Sequence, residues 1–270
     1  MRIADRVAEI LIENDFQDLF MVTGGMAMHL NDALTRSGQL KTTFFHHEQA
    51  CTMAAEGYSR QTGKDSLVCV TAGPGAVNAL NGVFGAYNDS IPMFVISGQV
   101  RTDTLNKSKS LRQLGDQEAP IVDMVKKITK YSKLLDKKDE IDYEVYKAIE
   151  IMRNGRKGPV WLDIPINIQG QQYIKSEQKE FIIKKEKPKN IDLQAKLLSE
   201  AIANSKRPLL MVGGGLRTSG AVKNLERFID NHNIPVVSAY NGHDLFWESN
   251  NKYIGRSGTQ GDRRGNLAVE

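Results

Sequence analysis

The sequence predicts an α/β protein of two units, the first a parallel sheet flanked by helices on both faces. Three observations carry this. Short, continuously apolar runs alternate with longer segments of helical spacing, the pattern of strands buried on both sides. Several of those runs end on glycines or on a polar cluster that opens a helix, as strand-to-helix turns do in open sheets. A polar, lysine-rich stretch at residues 169–190, closed by Pro188, then breaks the rhythm before it resumes.

The elements follow in order. Ala4 to Asn14 carries Val7, Ile10 and Leu11 at helical spacing, and Asp18 to Thr23 is a short strand running into Gly24-Gly25. Thr42 to Phe45 is a second strand. The helix after it has a small-residue stripe at Ala50, Met53, Ala54, Gly57 and Tyr58. Ser66 to Thr71 is a buried strand ending on Gly73-Pro74-Gly75, and Val77 to Tyr87 returns as a helix. Met93 to Ser97 is a fourth strand; after a helix near Tyr143 to Arg153, Pro159 to Ile164 is a fifth. The first domain is therefore expected at residues 1–168, the linker at 169–190 and a second domain at 191–270. In that second domain we read a helix to about Asn204, a strand Pro208 to Val212, Gly213-Gly214-Gly215, a helix Ala221 to Asn231, a strand Ile234 to Ala239 and a helix start at Gly265. With two strands, the expectation is a truncated unit whose sheet is thinly covered.

Bulk properties bound the function. The 270 residues are 40% hydrophobic and 25% charged, a globular composition with net charge +4. The basic excess gathers at Lys175, Lys179, Lys184, Lys185, Lys187 and Lys189, which reads as a solvated linker and gives no nucleic-acid footprint. Cys51 and Cys69 fall in apolar segments and suggest no disulfide framework. With acids at Asp5, Glu9, Glu13, Asp15 and Asp18 no signal peptide is expected at the start, and no apolar run approaches the ~20 residues that span a bilayer. The expected location is the cytoplasm, with no membrane partner.

Ligands of open α/β sheets bind beyond the carboxyl ends of strands. Three such ends qualify: Thr23-Gly24-Gly25, His47-Glu48-Gln49 and Thr71-Ala72-Gly73-Pro74-Gly75. Glu48 is the acid of interest. A carboxylate opening a helix meets the positive end of the helix dipole while burial opposes its charge, a balance suited to sharing a proton. From spacing alone, a simple helix-start acid remains the alternative. His46 and His47 invite a metal, but adjacent strand residues point to opposite faces and no further ligand spacing supports one, so no metal ligand is assigned. Gly213 to Gly215 admits either a dinucleotide phosphate or a tight turn. Ser90, Ser97 and Cys51 lack a histidine-plus-acid arrangement for nucleophilic catalysis.

Taken as strings, these ends resemble a known family. His46-His47-Glu48-Gln49-Ala50, continuing to Ala54-Ala55-Glu56-Gly57-Tyr58-Ser59-Arg60, looks like the catalytic-glutamate motif of acetolactate-synthase-like thiamine-diphosphate enzymes. Thr71 to Gly75 with Asn78, Tyr87 to Pro92, Ile96 to Val100, Gln117-Glu118-Ala119, Thr129-Lys130 and Gly158 to Pro165 match the following blocks in order. The resemblance covers residues 1 to about 168, and Arg207 to Gly215 with Ile234 to Val237 resembles the first half of the family's Rossmann-like central domain.

The resemblance implies a thiamine-diphosphate-binding fold whose first domain grips the aminopyrimidine ring. Glu48 takes the role of the glutamate that bonds ring nitrogen N1′ and promotes proton loss from the thiazolium C2, and Thr23, Gly24, Thr71, Pro74, Asn78 and Gln117 become the pyrimidine-side wall. It further implies a 2-keto acid substrate such as pyruvate, magnesium with the diphosphate, and a homodimer or tetramer in the full-length form. FAD is implied in the central domain, where some members carry it without redox use. Thr23 and Tyr131 depart from the family's usual proline and histidine. The Gly-Asp-Gly of the diphosphate and magnesium domain does not occur; Gly115-Asp116-Gln117 and Gly261-Asp262-Arg263 come nearest. A carboligase or decarboxylase portion thus stands beside a truncated, non-catalytic interaction module.

Overall fold

Ile3, Val7, Ile10 and Leu11 fall on one buried stripe of the helix Ile3–Glu13 (α1), whose first turn is closed by Arg2 N donating to the Asp5 carboxylate at 2.8 Å. The computed structural model describes residues 1–108, 110–175, 181, 190–246 and 250–270. The chain divides into two units, Met1–Ile183 and Lys184–Glu270.

The first unit is a six-stranded sheet built from β1 (Asp18–Met21), β2 (Lys41–Phe44), β3 (Ser66–Val70), β4 (Met93–Gln99), β5 (Tyr131–Leu134) and β6 (Val160–Pro165). All pairings are parallel, in the order β2-β1-β3-β4-β6-β5. Alternation along each strand sends side chains to two separate cores. Leu67, Cys69, Phe94, Ile96 and Leu162 pack with α1, with α2 (Met28–Arg36) and with α7 (Ile141–Arg153). Val68, Val70, Met93, Val95 and Trp161 pack with α3 (Glu48–Thr62), α4 (Pro74–Asn78), α5 (Leu80–Asn88) and α6 (Ile121–Val125). Continuous apolar strands are thus continuous because both faces are covered.

The structure has more strands than the sequence reading. The sixth is β5, a half-buried edge strand whose Tyr-Ser-Lys-Leu run carries no apolar signature. The histidine argument is also corrected. β2 ends at Phe44, so His46 and His47 lie beyond it, and His47 instead caps α3, its Nδ1 accepting from Gln49 N at 3.2 Å. Gln169, where the linker is expected to begin, is fully buried at the end of the short helix α8 (Ile166–Gln169). Beyond it, Ile3 N donates to Gln171 O at 2.8 Å and Tyr173 N to Met1 O at 3.0 Å, so this stretch packs on the first unit. The lysine-rich residues 176–180 and 182–189 lie outside the described residues.

The second unit contains α9 (Ile191–Asn204), β7 (Leu210–Val212), α10 (Gly215–Thr218), α11 (Val222–His232), β8 (Val236–Ser238), β9 (Tyr253–Arg256) and α12 (Arg263–Val269). Its sheet is parallel in the order β7-β8-β9. It has one strand more than the two expected, because β9 interrupts its apolar run with Gly255 and Arg256. No helix among the described residues is long and apolar enough to cross a membrane.

Candidate functional site

β1 and β3 are neighbours whose connections leave in opposite directions, β1 toward β2 and β3 toward β4. A crevice forms at such a switch point, beyond the carboxyl ends of the strands. Its two lips are the turns after β1 and β3, and they touch: a Cβ built on Gly24 would stand 2.4 Å from Thr71 Cβ, so only glycine lets the lips meet.

Glu48 comes into this crevice as the first residue of α3. It is 8% exposed. Asn78 Nδ2 donates to Glu48 Oε2 at 3.1 Å. Oε1 has no donor among the described residues, and a Cβ on Gly75 would meet it at 2.9 Å. One carboxylate oxygen is therefore held, while the other, packed on Gly75, has no donor among the described residues. Thr52, one turn along α3, fixes the partner: its single hydroxyl proton lies between Glu48 O and Ala79 O, each 3.1 Å from Oγ1, tying α3 to the residue after Asn78.

The β3 turn makes a second contact. Gly73 has φ +62°, and a Cβ there would lie 2.3 Å from Gln117 O. Gln117 itself has φ +59°. Both the backbone conformation and the close approach therefore require glycine at residue 73.

Of the residues expected from the sequence, the structure brings Gly24, Thr71, Glu48 and Asn78 together, and adds Gln117 through Gly73. Thr23 and Pro74 are exposed and join through chain adjacency, Thr23 beside Gly24 and Pro74 as the first residue of α4. Gly73 and Gly75 belong to the site although no role attaches to them in the sequence. The Gly-Pro-Gly string at a strand end is the signal that marks them.

Other candidates have different work. Burial, with Glu48 nearby, pushes the Cys51 thiol up to about 12, so it stays protonated. Ser97 is buried in a hydrogen-bond network with Asp163 and Trp161, and Ser90 Oγ accepts from Arg156 Nε at 2.6 Å. In the second unit, Gly214 faces Asn241 O, 2.9 Å from where its Cβ would be, which uses that glycine for close packing of two turns. Among the described residues no group of three or more His, Cys, Asp or Glu is placed to hold a metal ion. An open groove of about 490 Å³ adjoins the site at Asn78, lined also by Gln49, Phe84 and Met124, but does not include Glu48 or Thr71.

Comparison with known proteins gives two family matches. Residues 1–120 match the model described as thiamine pyrophosphate enzyme, N-terminal TPP binding domain, and residues 195–270 match the thiamine pyrophosphate enzyme central domain. The chain is 33% identical over 270 residues to the acetolactate synthase large subunit of Buchnera aphidicola subsp. Acyrthosiphon pisum, covering 98% of this chain and 46% of that protein. It is 34% identical over 272 residues to acetolactate synthase 1, chloroplastic, of Zea mays, covering 99% of this chain and 41% of that protein. The Haemophilus influenzae acetolactate synthase large subunit is 31% identical over 270 residues, with 98% and 46% covered. The chain spans less than half the length of these relatives.

Proposed function

We propose a function from the family to which this chain belongs, the thiamine-diphosphate-dependent enzymes of the acetolactate-synthase-like kind: residues 1–168 are the pyrimidine-binding domain of a 2-keto acid carboligase or decarboxylase. Thiamine diphosphate, when bound, supplies a nucleophilic carbon and an electron sink for cleaving and joining 2-keto acids. The residues here bind and orient its pyrimidine ring. Gly24, Gly73 and Gly75 let Thr71, Gln117 and the Glu48 carboxyl come together at the strand ends, and Thr71 and Gln117 are the wall proposed to meet the ring. Glu48 holds a proton between its free oxygen and ring nitrogen N1′, and Asn78 keeps the carboxyl turned toward the ring. The observation that carries this reading is the buried carboxyl of Glu48 at the switch point, with one oxygen tied to Asn78 and the other unclaimed among the described residues.

The donor substrate in this proposal is a 2-keto acid such as pyruvate. The magnesium and diphosphate contacts fall to a domain that is not in these 270 residues, and FAD is assigned to the second unit by family alone. The working form is a homodimer or tetramer in the cytoplasm. Met53, Phe84 and Met124, between 42% and 52% exposed on α3, α5 and α6, support a partnered surface.

Titrating the isotope-labelled chain, joined to a diphosphate-binding domain, with thiamine diphosphate and magnesium tests the site. Amide shifts should gather at Gly24, Glu48, Thr71 to Gly73, Gly75 to Asn78 and Gln117. Shifts confined to the second unit, or spread evenly over the surface, would overturn the assignment.

A further inference from the structure

An acid sits in the middle of the sheet where its neighbours are apolar. Asp163, on β6, is 1% exposed, and the parallel register sets it opposite Ser97 of β4. Ser97 Oγ donates to Asp163 Oδ1 at 2.6 Å and accepts from Trp161 Nε1 at 2.7 Å. Gln99, two residues beyond Ser97 and so on the same face, donates from Nε2 to Asp163 Oδ2 at 2.8 Å and to Ala119 O at 3.0 Å. Its Oε1 accepts from Val100 N at 2.9 Å. The Gln99 amide is satisfied at both ends, and reversing it would set oxygen against oxygen at two places.

A buried carboxylate is costly unless it is hydrogen-bonded, and an apolar pair would fill the same volume at lower cost. What this arrangement adds is direction. It aims the Gln99 amide at Ala119 O, which also accepts from Ile121 N at 2.8 Å and so closes the turn before α6. Two residues earlier is Gln117, whose carbonyl packs on Gly73. Between them, the Glu118 carboxylate gathers the loop by accepting from the backbone N of Asn106, Leu114 and Gly115 at 2.7, 2.9 and 3.1 Å.

We propose that Gln99, oriented by Asp163, is a positioning residue that anchors the 117–119 turn so that Gln117 closes over Gly73 beside Glu48. The anchor's functional meaning rests on reading Gln117 as part of the pyrimidine wall; the anchor itself does not.

Amide hydrogen exchange on the 270-residue chain tests it without cofactor. Gln99→Met keeps the volume and removes the amide, so exchange at Glu118 and Ile121 should accelerate about tenfold or more while β3 keeps its wild-type protection. Asp163→Leu should do the same. Asp163→Asn retains an acceptor for Gln99 and should stay within about twofold of wild type, a rescue that general loosening of the core would not give. Unchanged exchange at Glu118 and Ile121 in a folded Gln99→Met chain overturns the proposal. If the variants do not fold, the wild-type chain decides: the Gln99 side-chain amide protons should be protected like sheet amides, and exchange as fast as that of exposed Gln61 overturns the proposal. Thiamine diphosphate titration of the same variants joined to a diphosphate-binding domain separates the two readings. A turn that loosens in Gln99→Met, with no cofactor shifts in the wild-type site, upholds the anchor and removes the pyrimidine role. Cofactor shifts in the wild-type site with an unmoved turn in Gln99→Met do the reverse.

Discussion

The two units use the same strand, glycine turn and helix, yet only the first turns them into a tight site. In the first unit every central strand feeds two cores, one under α1, α2 and α7 and one under α3, α5 and α6. Among the described residues of the second, a small cluster at Val212, Leu225, Ile229, Val236 and Phe246 does the work. There α9 buries no residue, and its Ile191, Leu193, Leu197 and Leu198 are 52–57% exposed. The glycines show the consequence. Gly24 and Gly73 bring the turns after β1 and β3 against Thr71 and Gln117, and Gly75 packs on Glu48; in the second unit Gly214 also packs two turns together, but no carboxylate lies among its contacts, and Gly215 has nothing within 4 Å. A glycine turn becomes a binding feature when a doubly covered sheet holds its lips in place.

Core truncations should separate the units most. Leu67→Ala, in the fully buried β3, should cost about 2–5 kcal/mol, while Leu197→Ala should change stability by less than about 0.5 kcal/mol. Urea unfolding followed by circular dichroism reads both. A cost at Leu197 equal to that at Leu67 would erase the contrast.

Glycine substitutions sharpen it. Gly73→Ala meets a positive φ and the Gln117 carbonyl together, and should destabilise by about 2–4 kcal/mol. Gly215→Ala should be neutral, or stabilising by up to about 1 kcal/mol, because it adds helix propensity in open space. Equal thermal shifts for the two would remove the distinction between a site glycine and an ordinary turn glycine.

A smaller effect belongs to the first unit alone. Burial pushes the Asp163 carboxyl up to about 7, opposed by the hydrogen bonds from Ser97 and Gln99. The folded chain thus keeps a proton that the unfolded chain releases near its ordinary value of about 4. This contribution to stability is full below about pH 4 and is lost as pH rises through about 7. Asp163→Asn removes the loss, so between pH 6 and pH 7 the variant should gain about 1 kcal/mol relative to wild type. A difference that does not vary with pH would mean the acid is not protonated in the folded chain.

Much of this was legible in the residues. Continuous apolar strands and glycine-bearing strand ends announce a doubly covered parallel sheet, and the site lies at three of those ends. Edge strands were less visible. β5 and β9 are short, partly polar and bordered by solvent, so no apolar run marks them. Helix α2 carries Leu30, Ala33 and Leu34 at helical spacing, but at nine residues it repeats that spacing too few times to stand out. The contact between Gly73 and Gln117 joins residues 44 positions apart, and no local pattern encodes it. The Asp163 network is intermediate: an acid inside Val160 to Pro165 is a visible anomaly, but its partners on β4 emerge only with the sheet register.

The site's central residue is tested most directly by proton exchange at C2 of thiamine diphosphate, with this chain joined to a diphosphate-binding domain. Glu48→Gln keeps the shape and removes the carboxylate, so folding should hold while exchange slows by roughly 100- to 10,000-fold, the range of general acid–base contributions. Glu56→Gln is the control, since that acid pairs with Arg60 at 2.5 Å two turns along α3; it should leave exchange at the wild-type rate. Wild-type exchange in Glu48→Gln with the cofactor still bound would contradict the assignment of Glu48.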